Sequence, residues 1–119
     1  METNDSFEDL EIWKEGMRLC VLIHEEMKSM IDYTFRDHIQ RTSVSIPSNI
    51  SEGFERSTNK DFIRFLYIAK GSCGELRTQL YLANKFGYLP QDLFANLLDK
   101  SKALSSKIQR FIEAREKFQ

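Results

Sequence analysis

The stretch from residue 59 to residue 86 repeats apolar side chains at alternating spacings of four and three residues. This spacing places one side chain per turn on a single line along an α-helix, so it predicts a long helix with a buried seam. A second apolar line beside the first indicates burial on more than one side. At 1.5 Å per residue the predicted helix is about 42 Å long. The two lines are Phe62, Leu66, Ala69, Cys73, Leu76, Leu80 and Ala83, and Phe65, Ile68, Ser72, Gln79, Leu82 and Phe86.

Three further segments have the same helical period. Thr58, with Asp61 three residues later, is typical of a helix start, and Gly87 is typical of a helix end. The connections between the segments are short, and short connections force consecutive helices to lie antiparallel. We therefore predict that residues 1–119 form one domain, an all-α antiparallel up-down-up-down four-helix bundle. The predicted helices are residues 8–30, 35–56, 59–86 and 90–117.

The composition argues against several classes of protein. The 119 residues are 41% hydrophobic and 29% charged, as in an ordinary soluble domain. The longest apolar runs are far shorter than the roughly 20 residues of a membrane span, so no membrane partner is expected. Two cysteines do not make a disulfide framework and favour a cytoplasmic location. The net charge of −1 differs from the strongly basic balance of a dedicated duplex-DNA-binding protein, although residues 1–31 are acidic and the rest is basic.

No pattern of catalytic or ligand-binding residues is recognisable. The two histidines, His24 and His38, lack the Glu-x-x-His spacing of di-iron bundles, so we expect no metal and no cofactor. Cys20 and Cys73 fall on core lines and are interpreted as small buried apolar groups, with no histidine at a neighbouring helical position. There is no phosphate-binding loop or nucleophile elbow. The sequence therefore predicts a protein that is not an enzyme and has no catalytic residues.

The second helix contains an interior proline. Pro47 has no N–H group for the carbonyl of Ser43, and its ring crowds that carbonyl, so we predict a kink. The hydroxyl of Ser72 on the third helix, or a water molecule, is expected to bond the freed carbonyl, because an unpaired buried carbonyl is costly. Two shorter helices broken between Ser45 and Ile46 are the alternative, since the residue before a proline avoids helical geometry.

Small residues are concentrated in the middle of the second and third helices. An antiparallel turn centred at residues 57–58 makes the serine-rich segment 42–53 face the segment 69–74, and it brings Glu75 near Arg41. Each interior glycine of the third helix costs about 1 kcal/mol relative to alanine. Close packing of the two helices is the ordinary reason for such glycines. A ligand cleft and a contact between subunits are the alternatives.

Residues of the second and third helices resemble a known family. Residues 45–53 read Ser-Ile-Pro-Ser-Asn-Ile-Ser-Glu-Gly, and residues 62–72 read Phe-Ile-Arg-Phe-Leu-Tyr-Ile-Ala-Lys-Gly-Ser. With the opening segment 7–14, they resemble the bacterial four-helix-bundle proteins named after intervening sequences of 23S ribosomal RNA genes. The chain departs from the usual family pattern at His38, Gln40 and Thr42-Ser43. The structural signature positions are Ser45, Pro47, Asn49, Glu52, Gly53, Gly71, Ser72, Gly74 and Glu75.

The resemblance implies a homo-oligomer, typically a ring of five subunits, and the family includes nucleic-acid-binding accessory proteins of diversity-generating retroelements. Gly71 and Gly74 share an outer line with Tyr67, Thr78 and Tyr81, which is a third occupied face of this helix. We therefore expect contacts between subunits, and we expect them to draw on the acidic first helix and on basic residues elsewhere. The preferred interpretation is a non-catalytic, self-assembling helical bundle. A scaffold for a protein partner is one alternative. The other is an accessory protein that binds RNA or single-stranded DNA through a basic face made of Arg36, Arg41, Arg56, Lys60 and Arg64.

Overall fold

The computed structural model describes residues 5–118, so residues 1–4 and 119 of the predicted domain lie outside the described residues. The described part contains no strand, and its helices pack against each other in a body of 47 × 21 × 19 Å. The predicted all-α bundle is therefore confirmed. A short 3-10 turn, Phe7–Asp9, precedes four helices: α1 (Glu11–Met27), α2 (Tyr33–Phe54), α3 (Asn59–Lys85) and α4 (Gln91–Glu116).

Local capping groups explain where the helices begin and end. The side chain of Thr58 accepts a hydrogen bond of 3.1 Å from the N–H of Asp61, which confirms the predicted start of α3. Gly87 has a φ of +80°, the left-handed conformation that stops a helix. At the start of α2, Asp32 accepts a bond of 3.2 Å from the N–H of Phe35. The prediction of 8–30 for the first helix was too long, because Leu10 is extended (φ −75°, ψ 128°) and separates the 3-10 turn from α1.

The core is the seam predicted for α3, together with matching apolar lines from the other three helices. Side chains from Leu66 to Ala83 on this seam are fully buried. The second apolar line of α3 is only partly buried, which corrects the expectation of a wider buried face. Phe65 and Gln79 are buried, but the other large apolar side chains of this line, Ile68, Leu82 and Phe86, are exposed.

Consecutive helices contact each other in the order that antiparallel neighbours require. Between α2 and α3, Phe35 contacts Phe86, Ser45 contacts Ser72, and Phe54 contacts Phe62. Residue numbers therefore fall along α3 as they rise along α2. Residue numbers also run in opposite directions along α3 and α4, because Phe62 contacts Phe111 and Tyr81 contacts Phe94.

The second helix continues without interruption through Pro47. The alternative of two helices broken between Ser45 and Ile46 was therefore wrong. Packing overrides the local preference here, because both Ile46 and Pro47 are buried against neighbouring helices. The kink itself remains a prediction.

Candidate functional site

Hydroxyl groups on α2 bond mainly to carbonyls of their own helix. Ser45 Oγ lies 2.6 Å from the carbonyl of Thr42 and 2.8 Å from Ser72 Oγ. Because a carbonyl only accepts, Ser45 donates to Thr42 and Ser72 donates to Ser45. Ser72 thus serves the α2–α3 contact as predicted, but it bonds the Ser45 hydroxyl and not the expected carbonyl of Ser43. Similar bonds are made by Thr42 to His38, Ser43 to Gln40 and Ser51 to Ser48, and the amide of Asn49 donates to the carbonyl of Ser45.

Two glycines allow helices to approach closely. A Cβ atom on Gly53 would lie 2.6 Å from the Cβ of Phe65 and 3.2 Å from the carbonyl oxygen of Phe62, so only glycine fits there without movement of α3. A Cβ atom on Gly16 would meet the ring of Pro47 at 3.5 Å, which is ordinary contact. The signature residue Gly53 is therefore explained by packing of α2 on α3 within one chain.

Gly71 and Gly74 do not contribute to that packing. A Cβ atom on Gly71 would meet nothing within 4 Å, and one on Gly74 would meet only Arg77 Nη2 at 3.8 Å. The expectation that close packing of α2 explains these glycines was wrong, because they point away from α2 while Ser72 points toward it. We call the outward side of α3 the α3 outer face and define it by Tyr67, Ile68, Gly71, Gly74, Thr78, Tyr81 and Leu82.

The signature acids pair with neighbours on the surface. Glu75 was expected near Arg41, but the side chain that its carboxylate contacts is His38, with Nε2 at 3.4 Å. Glu52 pairs with Arg56 one helical turn later, at 2.9 Å. Both contacts are exposed, and such pairs contribute little to stability.

The five predicted nucleic-acid contacts fall into separate groups. Arg56 and Arg64 both stack on the ring of Phe65, with guanidinium carbons 4.7 and 4.6 Å from its centre, and Lys60 is exposed near the same turn. Arg36 lies in the first turn of α2 at the opposite end, about 30 Å from Arg56 at 1.5 Å per residue, and it pairs with an aspartate. Arg41 is exposed between them. The structure therefore brings together Arg56, Lys60 and Arg64, which we call the basic turn.

Cys20 has a histidine neighbour one helical turn away. Residues four apart share a helix face, and Cys20 Sγ lies 3.9 Å from Nδ1 of His24. The interpretation of Cys20 as a residue without an adjacent histidine was therefore wrong. Nδ1 lies 3.0 Å from the carbonyl of Cys20, which only accepts, so Nδ1 carries a proton in neutral His24 and does not take one from the thiol. The pair is not arranged as a nucleophile and its base.

The second cysteine lies in the core, where a thiol is unreactive. Cys73 is fully buried in the α3 seam, and burial raises its pKa to about 12. No three histidine, cysteine or acidic side chains among residues 5–118 converge as a metal site requires. None of the described helices has a stretch long and apolar enough to cross a bilayer.

The family model for 23S rRNA-intervening sequence proteins matches residues 8–110, which is most of the chain. The chain belongs to this family. No curated protein matches it in sequence. It is similar in structure to a protein with unknown function from the S23 ribosomal protein family of Bacteroides thetaiotaomicron, whose crystal structure has been solved at 1.70 Å resolution. The two chains are 21% identical with a TM-score of 0.79, over 85% of this chain and 97% of the other, which shows a shared fold.

This member of the 23S rRNA-intervening sequence protein family has a further surface that its sequence did not indicate. The seam between α1 and α4 holds one cavity of about 500 Å³ and another of about 540 Å³, separated by an ion pair between Glu15 and Lys107. Val21, which lines the first cavity, is 60% exposed. The spacing of apolar residues predicts which side of a helix faces the core. It does not predict how closely the first and last helices approach each other. We call this region the α1–α4 seam.

Proposed function

We propose that this protein is a non-catalytic, self-assembling helical bundle whose copies meet through the α3 outer face. The observation that carries the proposal is the open space around Gly71 and Gly74. Each glycine lowers helix stability by about 1 kcal/mol relative to alanine. Neither is required by packing within one chain. The absence of a side chain at these positions would let a helix of a second copy approach closely.

The apolar residues around the glycines support the same proposal. Tyr67 and Tyr81 are 46% and 48% exposed, and Ile68 and Leu82 are each 41% exposed. Tyrosine is enriched in protein interfaces, and a contiguous exposed apolar patch typically marks an interaction site. By the family resemblance we propose five copies, and the two unpaired cysteines suit the reducing cytoplasm.

Sedimentation velocity at micromolar concentration tests the proposal. The wild type is expected to sediment as a species several times larger than the 14.0 kDa chain. Gly71→Glu adds a charged side chain where a single chain has room for it, so the variant is expected to remain folded but to lose assembly. Ser106→Glu makes the same charge change on the exposed side of α4 and is the matched control. A wild type that sediments as a monomer would refute the proposal.

A second candidate function is binding of RNA or single-stranded DNA by the assembled protein. The basic turn favours it, because Arg56 and Arg64 stack on the same ring, that of Phe65, and Lys60 is exposed in the first turn of α3. Glu52 and Asp61 offset two of these charges, so one copy is expected to bind only weakly, with a Kd of about 10⁻⁴ to 10⁻⁶ M. Several copies acting on one strand add roughly 10² to 10⁴ in avidity.

A titration of a fluorescent RNA hairpin and a single-stranded DNA at two salt concentrations tests this second function. Charge reversal of Arg56 and Lys60 is expected to abolish binding. The same reversal of Arg36 and Arg41 is the matched control, with equal change in net charge away from the basic turn. Absence of binding even at about 50 mM salt, where phosphate contacts are strongest, would reject nucleic-acid binding and favour a scaffold for a protein partner.

A further inference from the structure

The first cavity of the α1–α4 seam has an apolar lining that both helices supply. Its apolar side chains are Leu19, Val21, Leu22, Ala103 and Leu104. Leu19 and Leu104 are buried and form the floor, whereas Val21 and Ala103 are exposed at the opening. The volume of about 500 Å³ lies within the range of about 300–1,000 Å³ that is typical of sites for small molecules. The second cavity is more open and more polar, so the first is the better candidate for a ligand.

The charged side chains around this cavity leave one cation without a partner. Three of the four already form ion pairs within the chain: Glu15 with Lys107, Glu25 with Lys28, and Arg18 with Glu11. The fourth is Lys100, which is exposed and forms no ion pair or hydrogen bond with the described residues. The cavity therefore combines an apolar surface with one ammonium group that is free to meet an anion.

Lys100 lies at one end of this space, and the ion pair between Glu15 and Lys107 lies at the other. From Lys100 to Lys107 the distance along α4 is about 10 Å at 1.5 Å per residue. Leu104 lies between these two lysines on α4, and Leu19 lines the cavity from α1. An extended chain that starts at Lys100 therefore meets apolar side chains until it reaches the ion pair.

We propose that the first cavity binds a small aliphatic carboxylate, with its chain along Leu19 and Leu104 and its head at Lys100. This inference goes beyond self-assembly and does not depend on it. Each buried methylene strengthens binding by about 4-fold, whereas an exposed ion pair strengthens it by about 2- to 5-fold. The chain therefore supplies most of the affinity, and the single ammonium group selects a head with one negative charge.

Isothermal titration calorimetry of the full chain with soluble aliphatic probes, each below its micelle concentration, tests the proposal. Hexanoate, octanoate and decanoate are expected to bind with affinities that rise by about 4-fold per methylene until the chain reaches the ion pair. Decanol and decyltrimethylammonium have chains of the same length with a neutral and a positive head. Both are expected to bind more weakly than decanoate, and the cation most weakly.

Two pairs of variants locate the site. Lys100→Gln is expected to weaken decanoate binding by about 2- to 5-fold and to remove the preference over decanol. Lys102→Gln makes the same change at an exposed position of α4 outside the cavity and is its matched control. Val21→Asp removes apolar surface and adds a negative charge at the opening, so it is expected to weaken decanoate binding by roughly 10-fold. Val44→Asp, at an exposed position of α2, is the control for that change.

Three results would overturn the proposal. The first is the absence of saturable binding by decanoate. The second is equal binding of decanoate and decyltrimethylammonium, because the head would then have no role. The third is equal decanoate binding by Val21→Asp and Val44→Asp, which would place the aliphatic chain outside this cavity. Circular dichroism of each variant verifies that the helices are retained, and all four substitutions are at exposed positions where this is expected.

Discussion

Replacement of Gly71 by alanine is expected to stabilise the single folded chain and to weaken the association between copies. Alanine is favoured over glycine in a helix interior by about 1 kcal/mol. The added methyl group meets no atom within 4 Å, so nothing in a single chain offsets this gain. At concentrations where the protein is monomeric, Gly71→Ala should therefore raise the free energy of unfolding by about 1 kcal/mol.

The same methyl group should weaken contact with another copy. Insertion of one methyl group into a packed contact typically costs about 1–3 kcal/mol, which corresponds to a decrease of roughly 5- to 150-fold in the association constant. Urea unfolding followed by circular dichroism measures the first effect, and sedimentation velocity over a concentration series measures the second. If Gly71→Ala associates as tightly as the wild type, the α3 outer face is not the contact surface and the reasoning is wrong.

Three further predictions follow from the contacts within one chain. Gly53→Ala is expected to lower the free energy of unfolding by about 1–3 kcal/mol in urea titrations, because its Cβ would lie 2.6 Å from that of Phe65; an unchanged midpoint would contradict this. The Tyr88 hydroxyl, 2.7 Å from Asp32, lowers the pKa of Asp32 and has its own pKa raised by that carboxylate. The free energy of unfolding of the wild type should therefore exceed that of Tyr88→Phe by a constant amount near neutral pH. It should decline as the pH falls below about 4 through the lowered pKa of Asp32, and again as the pH rises above about 10 through the raised pKa of Tyr88. Iodoacetamide should modify Cys20 in the native protein but spare buried Cys73 until urea unfolds the chain, as mass spectrometry will show; equal labelling of both would refute it.

The sequence predicted the bundle well because a long line of apolar residues at helical spacing has to pack against other helices. The alternation of four and three that ends at Ala83 requires one continuous buried seam, and the structure has it. The same period failed at Ile68 and Leu82, since an apolar residue on a helix is equally compatible with burial in the chain and exposure to a partner. The glycines show most clearly what the spacing of residues in the sequence does not predict. Gly53 and Gly71 look alike in sequence, but only the coordinates show that one faces a phenylalanine and the other open space.

The candidate site was less predictable because it depends on distances between helices. The α1–α4 seam involves residues about 90 positions apart, such as Glu15 and Lys107, and no local pattern reports how closely their helices approach. The division of the predicted basic face likewise follows from the length of α2. The pair of Cys20 and His24 differs from these cases. Its spacing of four residues can be read from the sequence alone, because residues four apart share a face of a helix.

The hydroxyl bonds along α2 have a consequence for the order of folding. Side chains that bond nearby carbonyls stabilise non-helical conformations as well, and serine, threonine and proline all disfavour the isolated helix. A peptide of residues 33–54 is therefore expected to be largely unstructured in water. We therefore expect α2 to acquire its structure as it packs against its neighbours, including α3, where Gly53 and Ser45 meet their partners. Changes that weaken this docking should mainly accelerate unfolding, with little effect on the folding rate, if docking follows the rate-limiting step.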